Sequence, residues 1–330
     1  MARPGAHFAL LQNGKGSILP PLLSNPPQLI MLRLGIVDFD SSHSIEFTRR
    51  FNHVGVDLDQ LVDGARVVAG WPGSSIMAPE RIAGFTQQVS ACGVDIVDAP
   101  DALIGRIDAA LVLSLCGSAH LERARPFLEA GIPTFVDKPF TCSVRDAEEI
   151  VALAGRQGTM MFNSSALPFA EEIEAFRARA GQFGPLHGAV AYGPAHRGTG
   201  NPGLFHYGIH AVSILYSVMG PGCESVRFVG NDGADLVTCR WNDGRLATLR
   251  GARNGSTAYG FLAFGENGVV NQPVSARYAY RNLCRRIVDS VTTGQPAIPN
   301  SESIEIVRFI AAALESEKRG GETIALASLS

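Results

Sequence analysis

Short apolar runs alternate with helix-patterned stretches through the first half of this chain, and that alternation restricts the fold more than any other feature. The runs are Arg33 to Phe39, Ala65 to Trp71, Val94 to Val97, Ala109 to Leu115, Thr134 to Val136 and Met160 to Asn163. Runs this short and rich in β-formers read as strands, and strands separated by helices require crossover connections and a parallel sheet. Between them, Ser143 followed three residues later by Asp146 predicts an N-cap before the apolar face Ile150, Val151 and Leu153, with Gly155 or Gly158 as the stop. The stretch His120 to Ala130 places Leu121, Ala124, Phe127 and Leu128 on one helical side, and Pro126 is expected to kink or shorten it.

After Asn163 the pattern changes. An amphipathic helix around Glu171 to Ala180 precedes glycine-punctuated strands at Leu186 to Tyr192, Ser225 to Val229, Leu236 to Trp241, Leu246 to Gly251 and Tyr259 to Phe264. Asn242-Asp243-Gly244 supplies hairpin chemistry, so this sheet is expected to be open and largely antiparallel. Helices at roughly Ala276 to Thr293 and Ser301 to Arg319 close the chain. The fold class is therefore α/β: a doubly wound parallel sheet over 31–158 and an α+β domain over 159–330, its last helix packing back on the first domain.

Residues 1–30 hold Pro4, Pro20, Pro21, Pro26 and Pro27 and read as a disordered extension, which leaves Met31, just before the first strand, as a candidate native start; the alternative is an arm lying on a subunit surface. The formal net charge of −3 gives no basic stripe for a phosphate backbone, which argues against a nucleic-acid partner. No apolar run approaches the roughly 18–20 residues of a membrane helix, and six widely spaced cysteines without a CxxC pair suit reduced thiols, so a cytoplasmic protein is expected.

The first strand should open a phosphate-binding turn, yet the positions of a GxGxxG fingerprint read Asp38-Phe39-Asp40-Ser41-Ser42-His43, without a glycine. Aspartates facing a pyrophosphate would repel it, so they must turn away or act as caps if the turn binds phosphate at all. Ser41 and Ser42 could cap the following helix and offer hydroxyls beside its free N–H groups. The ribose-binding acid expected after the next strand is also missing, since that strand ends Gly70-Trp71-Pro72-Gly73-Ser74-Ser75. Trp71 is left to stack on an adenine or to serve as packing.

Several pieces in order nevertheless resemble the glucose-fructose oxidoreductase / inositol dehydrogenase / MocA (Gfo/Idh/MocA) family. They are the strand Ile107 to Leu113, the loop Ser114-Leu115-Cys116-Gly117-Ser118-Ala119-His120, Phe135-Val136-Asp137-Lys138-Pro139-Phe140, Phe162-Asn163 and Phe205-His206-Tyr207-Gly208-Ile209-His210. Asp137 stands where the family more often has glutamate, and His206 where its DxGxH helix has aspartate. The resemblance implies a Rossmann-like first domain, NAD or NADP as cofactor, a small polar substrate, and homodimers or homotetramers built on the second sheet. It implies that Lys138 hydrogen-bonds the reacting oxygen and that His210 moves the proton, with His206 one helical turn away sharing the face. Phe39, Asp40, Ser41, Ser42, Trp71, Leu115, Cys116, His120, Asp137 and Lys138 would contact cofactor. Asn163, with His196 and Arg197 in the loop Gly193 to Gly203, would contact substrate. Pro139 leaves open a cis Lys-Pro bond.

Three functions follow. The first is an NAD(P)-dependent oxidoreductase moving hydride to or from a secondary alcohol or ketone of a sugar, polyol or similar molecule. The second keeps Lys138, His206 and His210 for proton transfer, elimination or hydrolysis without dinucleotide. The third is a non-catalytic binding protein on the same fold. His206 and His210 have ligand spacing, but Tyr207 replaces the glutamate of an HExxH site, so no metal is expected.

Overall fold

Thirteen strands and eight α-helices are arranged around two sheets in the computed structural model, which describes residues 31–329. The expected extension over residues 1–30 lies outside them. The first sheet contains β1 (Leu32–Val37), β2 (Ala65–Trp71), β3 (Asp95–Ile96), β4 (Ala109–Val112), β5 (Thr134–Val136) and β6 (Met161–Asn163), in the spatial order β3-β2-β1-β4-β5-β6 with every pair parallel. This is the doubly wound order, whose ligand crevice lies at the carboxyl ends of the strands where the order reverses, here beside β1 and β4. All residues of β4 are buried, as a strand covered on both faces requires. β6 pairs with β5 and completes this sheet.

The connections are α1 (His43–Asn52), α2 (Pro79–Ala91), α3 (His120–Glu129) and α4 (Val144–Gln157). In α4 the Ser143 side chain accepts the Asp146 N–H, and Gly158 ends the helix in the left-handed region at φ 62°. Pro126 lies inside α3, which ends three residues later at Glu129.

The remaining helices are α5 (Glu171–Ala178), α6 (Ile209–Met219), α7 (Ala279–Thr293) and α8 (Asn300–Lys318). The second sheet contains β7 (Leu186–Pro194), β8 (Cys223–Asn231), β9 (Ala234–Trp241), β10 (Leu246–Ala252), β11 (Tyr259–Gly265), β12 (Gly268–Val274) and β13 (Ile324–Ala325). Its order is β12-β11-β7-β10-β9-β8-β13, antiparallel throughout except for β7 beside β10. Helix α6 is buried along nearly its whole length against this sheet. Helix α8 packs on β8 and reaches α4, where Arg308 pairs with Glu148. No helix among the described residues is long and apolar enough to cross a membrane.

Candidate active site

Where β5 ends, the chain turns through Asp137-Lys138-Pro139, and three long-range contacts fix that turn. Asn163 on β6 donates its Nδ2 to the carbonyls of Val136 at 2.8 Å and Asp137 at 3.0 Å. The Asp137 carboxylate is fully buried and meets His43 Nδ1 of α1 at 2.6 Å. The Lys138–Pro139 peptide is cis. With Asp137 turned inward to His43, Lys138 lines a cavity of about 250 Å³ between the carboxyl edge of the first sheet and α6. His43 also faces the Tyr280 hydroxyl of α7 through Nε2 at 3.1 Å and stacks on Phe47. Burial alone would push the Asp137 carboxyl up, but the charges of His43 and Lys138 prevail and hold it below its ordinary value.

His206 and His210 line the same cavity, so the three side chains nominated as catalytic converge. The two histidines do not share a helix as expected: α6 begins at Ile209, and His206 sits in the preceding turn. Tyr207 stands between them, its ring centroid 5.1 Å from His206 and 6.1 Å from His210. The glycine-rich loop closes over His206: a Cβ on Gly198 would come within 2.9 Å of its Nε2. His210 Nδ1 lies 2.8 Å from Ser165 Oγ, on the segment after β6. Enclosure by protein and then the Lys138 charge push His210 down to about 3, and the same causes lower His206. Both imidazoles are therefore neutral at physiological pH.

The turn after β1 accommodates its missing glycines by tying its acids inward. Asp38 takes the left-handed backbone at φ 66°, a conformation aspartate tolerates better than most residues. Its buried carboxylate accepts from Ser114 Oγ at 2.5 Å and Arg123 Nε at 3.0 Å. Asp40 accepts the Leu115 N–H at 3.0 Å. Neither acid lines the cavity; Ser41 and Ser42, at the N-terminus of α1, do. The acids thus turn aside, and Ser41 and Ser42 stand where a phosphate would meet a helix N-terminus.

Several nominated side chains are engaged by the protein itself. Phe39 is fully buried beneath β2, where a Cβ on Gly70 would meet its ring at 2.6 Å, so its side chain faces the core rather than a cofactor. His120 is fully buried, with Nδ1 2.9 Å from the Phe140 carbonyl and Nε2 2.9 Å from that of Ser114; it joins two loops. Cys116 is buried with its Sγ near Ser118 and Gly200, leaving Leu115 as the member of that loop that lines the cavity. Asp137 and Asn163 act beneath Lys138 as described. Trp71 carries the Arg123 guanidinium 4.8 Å over its ring. Arg197 belongs elsewhere, bound to Asp235 at 3.0 Å and Glu317 at 2.7 Å, whereas His196 packs edge-on to Tyr207 at 5.8 Å beside the cavity.

Other lining residues escaped the sequence reading: His43, Arg81, Asn201, Tyr207, Tyr259 and Tyr280. Asn201 clamps the loop after β4 by accepting the Gly117 N–H at 3.0 Å and donating to the Leu115 carbonyl at 2.8 Å. Only Tyr207 carried a local signal, its place between two nominated histidines. Among the described residues no cluster of three or more His, Cys, Asp or Glu side chains is placed to hold a metal ion.

Residues 78–165, which include Lys138 and the loop after β4, match the family model described as an oxidoreductase family with an NAD-binding Rossmann fold, Gfo/Idh/MocA. No curated protein matches the sequence significantly. Among solved structures the chain is similar to GenD2 from gentamicin A biosynthesis in complex with NAD, at 15% identity and TM-score 0.75 over 92% of this chain and 99% of that one. It is similar to scyllo-inositol dehydrogenase from Lactobacillus casei with bound NAD(H) and scyllo-inositol, at 14% identity and TM-score 0.74 over 90% and 99%. A myo-inositol dehydrogenase from Corynebacterium glutamicum matches at 18% identity and TM-score 0.74 over the same shares. The resemblance read from the sequence and the α/β architecture both agree with these findings.

Proposed function

We infer that this chain is a Gfo/Idh/MocA-type oxidoreductase that uses NAD or NADP to interconvert a secondary alcohol and a ketone on a sugar, polyol or similar small polar molecule. The observation that carries this reading is the convergence of Lys138, His206 and His210 on one cavity at the carboxyl edge of the doubly wound sheet. The residues fit a dinucleotide: Ser41 and Ser42 line the cavity at the start of α1, and the nearby acids are committed to Ser114, Arg123 and Leu115. When bound, the dinucleotide supplies the hydride acceptor or donor.

The protein groups handle charge and proton. The Lys138 ammonium hydrogen-bonds the reacting oxygen and stabilises the negative charge that grows on it as the hydroxyl proton leaves. The hydroxyl proton passes to His210, and the C–O bond becomes a carbonyl; reduction runs the same path backwards. Neutral His210 can accept that proton at Nε2 when Nδ1 donates to Ser165. Its basicity is restrained by burial and by Lys138, and the second restraint eases once an anionic oxygen balances the ammonium. The Asp137–His43 contact and the Asn163 amide hold the turn that aims Lys138.

Titration with NADH and NADPH, followed by cofactor fluorescence, tests the reading, with Lys138→Ala and His210→Ala as turnover controls. Saturable binding of either cofactor and loss of polyol or sugar oxidation in both variants is expected. If neither cofactor binds at millimolar concentration while the variants lose some other measured turnover, the same residues serve proton transfer without redox chemistry.

A further inference from the structure

Resting on the reading above, we propose that the substrate is a hydroxy acid of the sugar-acid type, its carboxylate met by Arg81 while Lys138 holds the reacting oxygen, rather than a neutral polyol. Neutral polyhydroxylated ligands are commonly oriented by carboxylates, which accept hydroxyl hydrogens. Among the described residues, none of the side chains lining this cavity is a carboxylate. Two acids of the neighbouring turns are committed to the protein, Asp137 to His43 and Asp40 to the Leu115 N–H. His206 occupies the place where the resemblance would put an aspartate, and it faces the cavity as a neutral ring.

Two basic side chains remain, Lys138 after β5 and Arg81 on α2. The Arg81 guanidinium is only loosely engaged: its Nε stands 3.8 Å from Glu80 Oε1, with half of the Arg81 side chain and most of the Glu80 side chain exposed, and it makes no other ion pair among the described residues. Its planar fork suits a carboxylate bidentately. A cleft with two cations and no facing acid raises the local concentration of an anion and leaves a neutral polyol without an ionic acceptor for its hydroxyl hydrogens.

The test is calorimetric binding of a panel of aldonates and uronates against the alditols and sugars that share their carbon skeletons, with and without saturating NADH. At least one acid is expected to bind about tenfold or more tighter than its neutral counterpart. Arg81→Gln should reduce that preference about tenfold and leave NADH affinity within about twofold, and Arg81→Lys should restore part of it. A panel in which no acid outbinds its neutral counterpart overturns the proposal. So does an Arg81→Gln variant that weakens NADH alone, which would assign Arg81 to cofactor phosphate. If acids bind with the expected preference while NADH and NADPH do not bind at all, the dehydrogenase reading fails and the substrate class stands.

Discussion

Removing His43 should turn Asp137 from a stabilising group into a destabilising one. The carboxylate is fully buried, its Oδ2 has His43 Nδ1 at 2.6 Å, and its Oδ1 has no hydrogen-bond partner. Breaking a buried pair by deleting one partner costs about 3–5 kcal/mol because the remaining charge is uncompensated. His43→Ala also removes the ring that packs on Phe47 and Tyr280, so the whole of that range is expected. The variant that isolates the charge is His43→Ala combined with Asp137→Asn, which keeps the shape and removes the ionisation. With His43 present, the folded-state pKa of Asp137 lies below its unfolded value, so its contribution is present above the unfolded value and is lost as pH falls through the folded one. Without His43 the burial effect dominates and the folded value rises above the unfolded one. The sign then reverses, and stability falls as pH rises through that raised value. Urea unfolding followed by circular dichroism should therefore show the double variant more stable than His43→Ala by about 1–3 kcal/mol at pH 8, with the gap narrowing toward pH 5. A double variant no more stable than the single one at pH 8 would refute the argument that Asp137 is held as a buried anion by His43.

Lys138→Ala should lower kcat/KM by about 10²–10³-fold with an unchanged far-ultraviolet spectrum, the size of effect seen when one preorganised donor to a developing oxyanion is lost. Lys138→Met should raise the His210 pKa measured by NMR, because the Lys138 charge is the second cause of its depression; burial, the first, keeps it below the ordinary histidine value. Gly73→Ala should destabilise by about 1–3 kcal/mol, since its φ is +66° and a Cβ would fall 1.6 Å from Asp38 Oδ1; a change of melting temperature within error would count against the described turn. Asn163→Ala should cost about 1–3 kcal/mol through two carbonyls that lose a donor and lower kcat more than it raises KM, because its amide holds the turn that carries Lys138.

Local pattern fixed most of the architecture. The expected bounds of β2 and β5 coincide with the observed ones, and the Ser143 cap and Gly158 stop of α4 are where side-chain chemistry puts them. Missed elements lacked the pattern. β12 is an exposed edge strand, Gly-Val-Val-Asn-Gln-Pro-Val, with only its last residue buried, and α2 buries only Val89, so neither displays a continuous apolar face. The shared cavity of Lys138, His206 and His210 was legible because a lysine at a strand's carboxyl end lies where a doubly wound fold collects ligands, and because the family resemblance set His206 and His210 beside it.

Which residues serve that cavity was decided by contacts that no sequence period encodes. Strand and helix periods relate neighbours two to four residues apart, whereas His43 meets Asp137 across 94 positions, Tyr280 meets His43 across 237, and Arg197 meets Glu317 across 120. Phe39 and His120 stood in functional loops by position, yet the core and two backbone carbonyls claimed their side chains. The sequence determined the elements and the edge of the sheet at which chemistry collects, because those depend on local periodicity. Only tertiary packing determined that the acids of the first turn face inward and that the cavity they vacate is cationic, because that depends on which distant groups satisfy them.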